Sequence, residues 1–487
     1  MKENKTSVFK SFLEYFYGNF IVLLLGLVSL PLITRVMSEA EYGRTSMFQS
    51  AVSVVYIFAI LGLDQGYIRF FYQEKISRKK LFYQCLLPSL ALILVVSSVY
   101  FVFSHMFNGF LFERDGIDIT LLVVGYAITS IFERFLFLNI RMDQNGKLYS
   151  NLNILSKVLY IAFILIFVRI LGDDFRVVLY ALTLPLFLVT AGLFIRFIIN
   201  GRHEKISFSK NSEYDVSEKE LLRYSIPFIP MLLMEWLLSS MDKWSIRIFN
   251  DFSETGVYAA AMQIMVIILT IKITFVAFWS PIAMDKYENE TEEVCKPFFA
   301  DMFLKVQFLC VSLAFLLTTF RGVIVLILGE RYRGAIKIIP FLALMPVLSI
   351  MFEMTGQGVK FVKKVKYLNY ASLAAIICNL VGNAVLVPKY RGVGAALATA
   401  ATYIVYFCIG TYFANRFYPV KYQFRGFVLS LVIYAIYAVY ATAADNQVIS
   451  FAVGILACIL HIFINFDVVK TLIETAFDAL RKLRKKS

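Results

Sequence analysis

The stretch FIVLLLGLVSLPLITRVMSEAEYGRTSMFQSAVSVVYIFAILGL (residues 20–63) holds two apolar runs joined by one short charged turn. At about 1.5 Å of rise per helical residue, each run reaches across a hydrocarbon core of about 30 Å. The turn between them is too short for anything but a reversal at the membrane surface. The same alternation of long apolar run and short polar break continues to the end of the chain. Over 487 residues, hydrophobic residues make up 59% and charged residues 17%, with a mean hydropathy of +0.72. Soluble domains carry about 45–50% apolar and about 25% charged residues. The composition therefore excludes a string of soluble domains and requires a polytopic membrane protein. Apolar runs of this length fit helical spans, which satisfy their own backbone hydrogen bonds in lipid, so the class is all-α.

Reading apolar runs against Gly, Pro and charge breaks gives fourteen candidate spans. The first six lie at about 12–34, 46–70, 81–104, 117–140, 148–171 and 175–199. The other eight lie at about 222–248, 256–281, 298–320, 335–357, 367–387, 393–415, 424–443 and 447–466. This divides the chain into an N-lobe (1–200), a polar inter-lobe loop (201–221), a C-lobe (222–416), two further spans (417–466) and a tail (467–487). In the tail, Val468, Val469, Leu472, Ile473, Ala476, Phe477, Leu480 and Leu483 form one apolar face that ends in Arg481, Lys482, Arg484, Lys485 and Lys486. That pattern predicts a basic amphipathic helix on anionic membrane lipids. Lys2, Lys5 and Lys10 precede an apolar stretch reaching Ile33 without a small-residue cleavage site, so the N-terminus reads as a retained span rather than a signal peptide.

The net charge of +14 (48 Lys+Arg against 34 Asp+Glu) would suit nucleic acid in a soluble chain. Here the cations sit in short loops between spans, as the positive-inside rule describes, so no nucleic acid is expected. An even span count puts both termini on one side. With that side cytoplasmic, Lys75/Arg78/Lys79/Lys80, Lys360/Lys363/Lys364/Lys366 and the 200–220 loop all fall inside, while Arg321, Arg331, Arg333 and Lys337 fall outside against the rule. Cys85, Cys310, Cys378, Cys408 and Cys458 lie in apolar runs and read as small hydrophobes. Neither a disulfide framework, a metal site nor a cofactor is expected.

The first loop has a counterpart later in the chain. ITRVMSEAEYGRTSMFQ and SIRIFNDFSETGVYAAAMQ each end a span at a basic residue, make a short acidic turn and open the next span near a glycine. Gly43 and Gly256 are 213 residues apart, which is six spans, so two parallel halves are expected. Four segments add to this: YSIPFIPMLLMEWLLSSMDKW (224–244), ETGVYAAAMQI (254–264), ILGERYRGA (327–335) and NLVGNAVLVPKYRGVGAALATA (379–400). In the last of them, Gly392 and Gly394 are expected to turn the chain after Pro388. Taken in order, these segments resemble the polysaccharide biosynthesis proteins of the O-antigen flippase type, within the multidrug/oligosaccharidyl-lipid/polysaccharide exporter superfamily.

That resemblance implies two six-helix lobes around a central cavity, two extra C-terminal helices lining a lipid groove, and residence in the bacterial cytoplasmic (inner) membrane. It implies movement of an undecaprenyl-diphosphate-linked oligosaccharide from the cytoplasmic to the periplasmic leaflet, for O-antigen, capsule or exopolysaccharide synthesis. A polysaccharide polymerase and a chain-length regulator would be its partners. A multidrug or organic-cation antiporter of the same superfamily is the nearest alternative, and an integral-membrane polymerase or glycosyltransferase is the enzyme alternative.

Charged residues inside spans carry the chemistry, since each costs about 2.5–3.5 kcal/mol at the bilayer centre. The embedded cations are Arg69, Arg134, Lys157, Arg196, Lys272 and Lys305. Arg196 is close enough to its span end to snorkel. The other five are the candidate cationic cavity for a diphosphate, with Lys157 and Lys272 deepest. Asp64, Glu235 and Glu353 are the candidate charge partners or ion-coupling groups, with Asp64 a turn and a half before Arg69. Glu133 and Arg134 point in different directions and need separate partners. Asp242-Lys243, near a span end, reads as an exposed ion pair. Pro227, Pro230, Pro281, Pro340 and Pro346 are candidate hinges.

Overall fold

The computed structural model describes residues 2–72, 78–201, 216–364 and 366–484. Most of the 201–221 loop, Lys75 of the first basic cluster, and Lys485 and Lys486 of the tail lie outside the described residues. All regular structure among the described residues is helical. The chain divides into two compact units, Met1–Ser240 and Met241–Ser487.

The first unit contains α1 (Lys2–Val36), α2 (Glu39–Ile60), α3 (Leu63–Phe70), α4 (Arg78–Val102), α5 (Ser104–Phe112), α6 (Ile117–Met142), α7 (Gly146–Leu171), α8 (Arg176–Gly201), α9 (Glu218–Ser225) and the first half of α10 (Phe228–Phe249). The second holds the rest of α10, then α11 (Phe252–Asn289), α12 (Glu292–Thr319), α13 (Arg321–Ile327), α14 (Ala335–Leu342), α15 (Leu344–Thr355), α16 (Gln357–Phe361), α17 (Lys366–Phe417), α18 (Phe424–Ala443), α19 (Gln447–Ile464) and α20 (Phe466–Arg484). Twelve helical stretches among the described residues are long and apolar enough to span a membrane, and α2 with α3 forms a further span bent by 51°. The 52 residues of α17 are two helices rather than one, because Arg391 at φ 52°, ψ −132° breaks the helical backbone. Beyond that break the chain folds back, so that a Cβ on Gly382 would lie 2.9 Å from the Cβ of Ala398. Counting those two halves separately restores the fourteen spans expected from the apolar runs.

Glycines sit where backbones cross. Between α2 and α3, Leu61 (φ 52°) and Gly62 (φ 66°) turn left-handed, and a Cβ on Gly62 would overlap the Ser225 carbonyl oxygen of α9. α9 is N-capped by Ser217, whose hydroxyl accepts from Glu220 N at 3.2 Å. At the α17 reversal, the positive φ falls on Arg391, not on the expected Gly392 or Gly394. Those two glycines are there for space instead. A Cβ on Gly394 would collide with the Leu386 carbonyl, and one on Gly392 would lie 2.9 Å from the Glu254 carboxylate. Among the expected hinges, Pro227 lies in the break between α9 and α10, and Pro281 lies inside α11.

One contact recurs in both units. Glu41 is the third residue of α2, and its Oε2 accepts from the backbone N–H of Phe175, at the head of α8, at 2.9 Å. Glu254 is the third residue of α11, and its Oε1 accepts from Gly392 N, at the head of the second half of α17, at 3.0 Å. The two glutamates are 213 positions apart, the same offset as Gly43 and Gly256. In each unit a carboxylate at one span start therefore satisfies an orphan donor at another span start four spans later. Glu41 also pairs with Arg44 (2.6 Å) and Arg114 (3.3 Å). Beside it, Arg176 bridges Asp174 (2.9 Å) and Asp118 (2.8 Å). Partial burial pushes the Asp174 carboxyl up, but the hydrogen bonds from Arg176 outweigh it and hold that group below the usual carboxylate range.

Removing either carboxylate strands a backbone donor, at a cost of about 1–3 kcal/mol. Glu41→Ala and Glu254→Ala should each lower the melting temperature of detergent-purified protein. Glu254→Gln should be milder than Glu41→Gln, because an amide oxygen can still accept from Gly392 but cannot neutralise Arg44 and Arg114. Equal melting of all four variants and the parent would remove these contacts as structural ties.

Candidate functional site

In the first unit, α3 and α6 bring opposite charges together across the bundle. Arg134 Nη2 lies 2.5 Å from Asp64 Oδ2. Asp64 is buried, and Gln65 Nε2 donates to the same oxygen at 3.0 Å. The register between the two helices is fixed by buried Tyr67, whose hydroxyl donates to Asn139 Oδ1 at 2.9 Å. Asp64 Oδ1 and Arg134 Nε are buried without a hydrogen-bond partner among the described residues. Arg134 is only partly consumed by this pair: 38% of its side chain remains exposed. It lines a cavity of about 380 Å³ together with Tyr56, Tyr126, Glu133, Tyr149 and Asn153. Glu133 and Arg134 thus face one cavity while only Arg134 has an ionic partner among the described residues. Ser53 also lines it and is held by Trp236 of α10, whose indole N–H lies 3.1 Å from Ser53 Oγ and from the Ser50 carbonyl.

In the second unit, Glu353 of α15 sits between two lysines. Its Oε1 is 3.3 Å from Lys272 Nζ of α11, and its Oε2 is 3.2 Å from Lys360 Nζ of α16. Two ammonium groups share one carboxylate, which leaves a local excess of one positive charge. Gly356 between α15 and α16 keeps a right-handed helical backbone (φ −71°, ψ −10°), so Lys360, seven residues after Glu353, lies on the same face two turns on.

A second buried carboxylate organises a different junction. Asp242, 1% exposed, accepts from Asn379 Nδ2 (3.0 Å) and Asn383 Nδ2 (2.8 Å) on one oxygen. The other oxygen accepts from Tyr258 OH at 2.5 Å and from the Thr399 hydroxyl. This corrects the expectation of an exposed Asp242–Lys243 ion pair: the side chain points inward to where α10, α11 and both halves of α17 meet. Asn383 Oδ1 is buried beside it with no partner among the described residues.

The remaining candidates are dispersed. Lys157 is half-buried on α7, one turn beyond Asn153, with its Nζ 4.5 Å over the Tyr160 ring and no acidic partner among the described residues. Lys305 pairs with exposed Asp301 on its own helix at 2.6 Å. Arg69 is exposed at the end of α3, and Asp64 turns to Arg134 instead of to it. Glu235 is exposed in mid-span and has no partner among the described residues, neither a hydrogen-bonding helix nor a lysine. Lys360, Tyr56, Tyr126 and Tyr149 were not among the sequence candidates. Asn379 and Asn383 had a legible signal, a four-residue spacing that places two amides on one face of an apolar helix.

Known proteins resemble this chain over most of its length. The chain is 20% identical over 482 residues to the probable low-salt glycan biosynthesis flippase Agl15 of Haloferax volcanii, covering 97% of this chain and 98% of that one. Its fold is similar to that of the lipid II flippase MurJ in an inward closed conformation, with a TM-score of 0.65, 14% identity, and 93% and 99% of the two chains covered. It is also similar to the multidrug transporter DinF-BH of the MATE type, with a TM-score of 0.56, 16% identity, and 85% and 96% covered. The family model described as polysaccharide biosynthesis protein matches residues 8–285, more than half of the chain. With that match and the all-helical transporter fold around its buried ion pairs, the chain belongs to the polysaccharide biosynthesis protein family.

Proposed function

We propose that the protein is a flippase that carries a lipid-linked oligosaccharide across the membrane, its head group passing through the bundle while its lipid tail stays in the bilayer. The observation that carries this reading is the 380 Å³ cavity in the first unit, polar, tyrosine-lined and served by Arg134. A diphosphate cannot cross hydrocarbon unaided, and cations facing water in the bundle offset its desolvation. Tyrosines offer sugars both a ring face and a hydroxyl. Asp64 and Glu353 act as placeholders: they neutralise Arg134, Lys272 and Lys360 when no substrate is bound, and the incoming diphosphate competes for the same cations. The fold is shared with multidrug transporters and does not choose between cargoes. The excess of cations over acids at the Glu353 site favours an anionic one over an organic cation.

In finer detail, the cargo would be an undecaprenyl-diphosphate-linked repeat unit, moved from the cytoplasmic to the periplasmic leaflet for O-antigen, capsule or exopolysaccharide synthesis. A groove of about 660 Å³ between α15, the second half of α17 and α18 would take its tail, with Phe407, Phe424 and Phe427 on its wall. Both termini would be cytoplasmic, and a polymerase would use the product. We assign ion coupling to Asp242, because a carboxylate so fully enclosed by hydroxyl and amide groups changes its surroundings when it binds a proton or a small cation.

A charged hydrogen bond of about 1.5–3 kcal/mol corresponds to roughly ten- to a hundredfold in affinity. Arg134→Gln and Lys272→Gln should therefore cut surface polysaccharide by about tenfold or more at normal protein level. Lys157→Gln should also impair transport, and Lys305→Gln should be close to wild type, since Asp301 already occupies that ammonium. Full transport in Arg134→Gln and Lys272→Gln would sink the cationic-cavity reading. Lost protein in place of lost transport would make those side chains structural.

Asp242→Asn should weaken transport and remove its dependence on pH or on sodium, whichever the parent shows in vesicles. A variant that keeps that dependence would move the coupling site elsewhere. For orientation, a cysteine at Lys364 should resist an impermeant thiol reagent added from the periplasmic side; labelling there would reverse the topology.

A further inference from the structure

One charged group in the first unit's cavity has no part in holding a diphosphate. Glu133 and Arg134 are consecutive on α6, so their side chains leave the helix about 100° apart. Both nevertheless line the same cavity of about 380 Å³, as its two charged side chains among the described residues. Arg134 has Asp64 at 2.5 Å. Glu133 is half-buried, and its carboxylate has neither a hydrogen-bond donor nor a salt bridge among the described residues. The cavity therefore carries a cationic pole and, one residue away, an acidic pole with open acceptor positions.

That arrangement makes a chemical demand on whatever fills it. A bare diphosphate beside Arg134 would meet an uncompensated carboxylate, and like charges repel strongly away from bulk water. The acidic pole suits a cargo that brings hydrogen-bond donors next to its phosphate. An ionised carboxylate only accepts, at about four lone-pair positions, and its bonds to hydroxyl or amide donors are the strong, charge-assisted kind. Two neighbouring hydroxyls of one sugar ring, or a hydroxyl and an acylamino N–H, fill those positions together. A sugar bonded directly to a phosphate carries such donors beside the anion. The cavity wall is also set for a ring before any cargo arrives. Tyr126 is held edge-on to buried Phe48 at 5.2 Å, and Tyr149 edge-on to Phe137 at 5.6 Å.

We infer that Glu133 is a sugar-recognition residue: it accepts from adjacent donors on the first sugar of the cargo, while Arg134 holds the phosphate to which that sugar is attached. This rests on the flippase reading and adds a specificity to it. What the first unit recognises is the sugar–phosphate junction rather than the diphosphate alone. A polyprenyl diphosphate that carries no sugar would bring its charge to Arg134 and only repulsion to Glu133, so the cavity rejects the unloaded carrier.

The test measures binding of short-chain probes to the detergent-purified full chain. One probe is geranyl diphosphate; the others are geranyl-diphospho sugars carrying glucose, galactose or N-acetylglucosamine. The parent should bind at least one sugar probe about tenfold or more tighter than geranyl diphosphate. Glu133→Gln should remove most of that preference, by weakening the sugar probe and not the sugarless one, whose phosphate no longer faces a negative charge. Glu133→Asp keeps the charge but withdraws it by one carbon; it should lose part of the preference, and it carries the test if the Gln variant does not fold. Arg134→Gln should weaken both kinds of probe and leave their ratio standing. A parent without the preference, or Glu133 variants that keep it in full, overturns the role of Glu133 and leaves the Arg134 site intact. If Arg134→Gln changes neither probe, the flippase reading of the cavity falls and the sugar assignment falls with it. Displacement of the sugar probe by millimolar tetraphenylphosphonium in the parent but not in Glu133→Gln would overturn the sugar assignment in favour of an organic cation.

Discussion

The hydrocarbon core supplies no water to a polar group, and every other feature of this chain is arranged around that constraint. Backbone groups within a span are satisfied by the helix itself, but the ends of spans and any side-chain charge must find partners inside the protein. Five buried or half-buried carboxylates supply them. Glu41 and Glu254 each close a backbone donor at the head of a distant span. Asp64 and Glu353 each hold cations in the body of a unit. Asp242 gathers two amides, a phenol and a hydroxyl at a four-way helix junction. Breaking any of these leaves a group that nothing in lipid can replace, so the acids fix where helices meet more firmly than apolar packing between lipid-like side chains does.

The same constraint explains why Arg134 and Lys272 are each paired with an acid. An isolated mid-span arginine is costly, and pairing lowers that cost only when the remaining hydrogen-bonding positions are also filled. At Arg134 they are not all filled: Nε and Asp64 Oδ1 are left over, and part of the guanidinium stays open to the cavity. On the proposed reading, a pair so incompletely satisfied would accept a third party with more acceptor atoms than one carboxylate, such as a diphosphate. The Glu353 site reaches a similar state differently, through two lysines competing for one acid.

Much of this architecture was legible in the sequence because hydrophobic length is a strong signal in a membrane chain. The run-and-break reading reached fourteen spans, including the α2–α3 bend, which it treated as one span, and the α17 reversal, which it treated as two. Gly43 and Gly256 marked the two loops read as a repeat, and the contact that recurs beside them is made by the neighbouring Glu41 and Glu254. The sites were legible only in part. Sequence position puts Asp64 near Arg69, but helical rotation at the Leu61–Gly62 turn aims it at Arg134, 70 positions later. Lys305 looked deep, yet a same-helix aspartate four residues back claims it. Asp242 looked like a span-end ion pair because linear reading cannot see that Asn379, Asn383 and Thr399 converge from 137 to 157 positions away. Long-range convergence of small polar side chains leaves almost no mark on an apolar background.

The two units share a recurring glutamate-to-backbone contact but differ in what they enclose, and this difference has a physical reading. The guanidinium of the first unit's pair lines a cavity of about 380 Å³ with tyrosines on its wall. In the second unit Asp242 is nearly fully enclosed, and its partners are too close to admit anything larger than a small ion. If the proposed coupling of head group to ion holds, the two occupants make different demands on their sites. A pocket open enough for a diphosphate is too hydrated to discriminate a proton or a small cation. A pocket tight enough for an ion has no room for cargo. Under the proposed function, the different polar residues of the two units would give each its own occupant. On this reading the repeated glutamate contacts are the part that could not diverge, because a span end left unpaired in either unit would cost both.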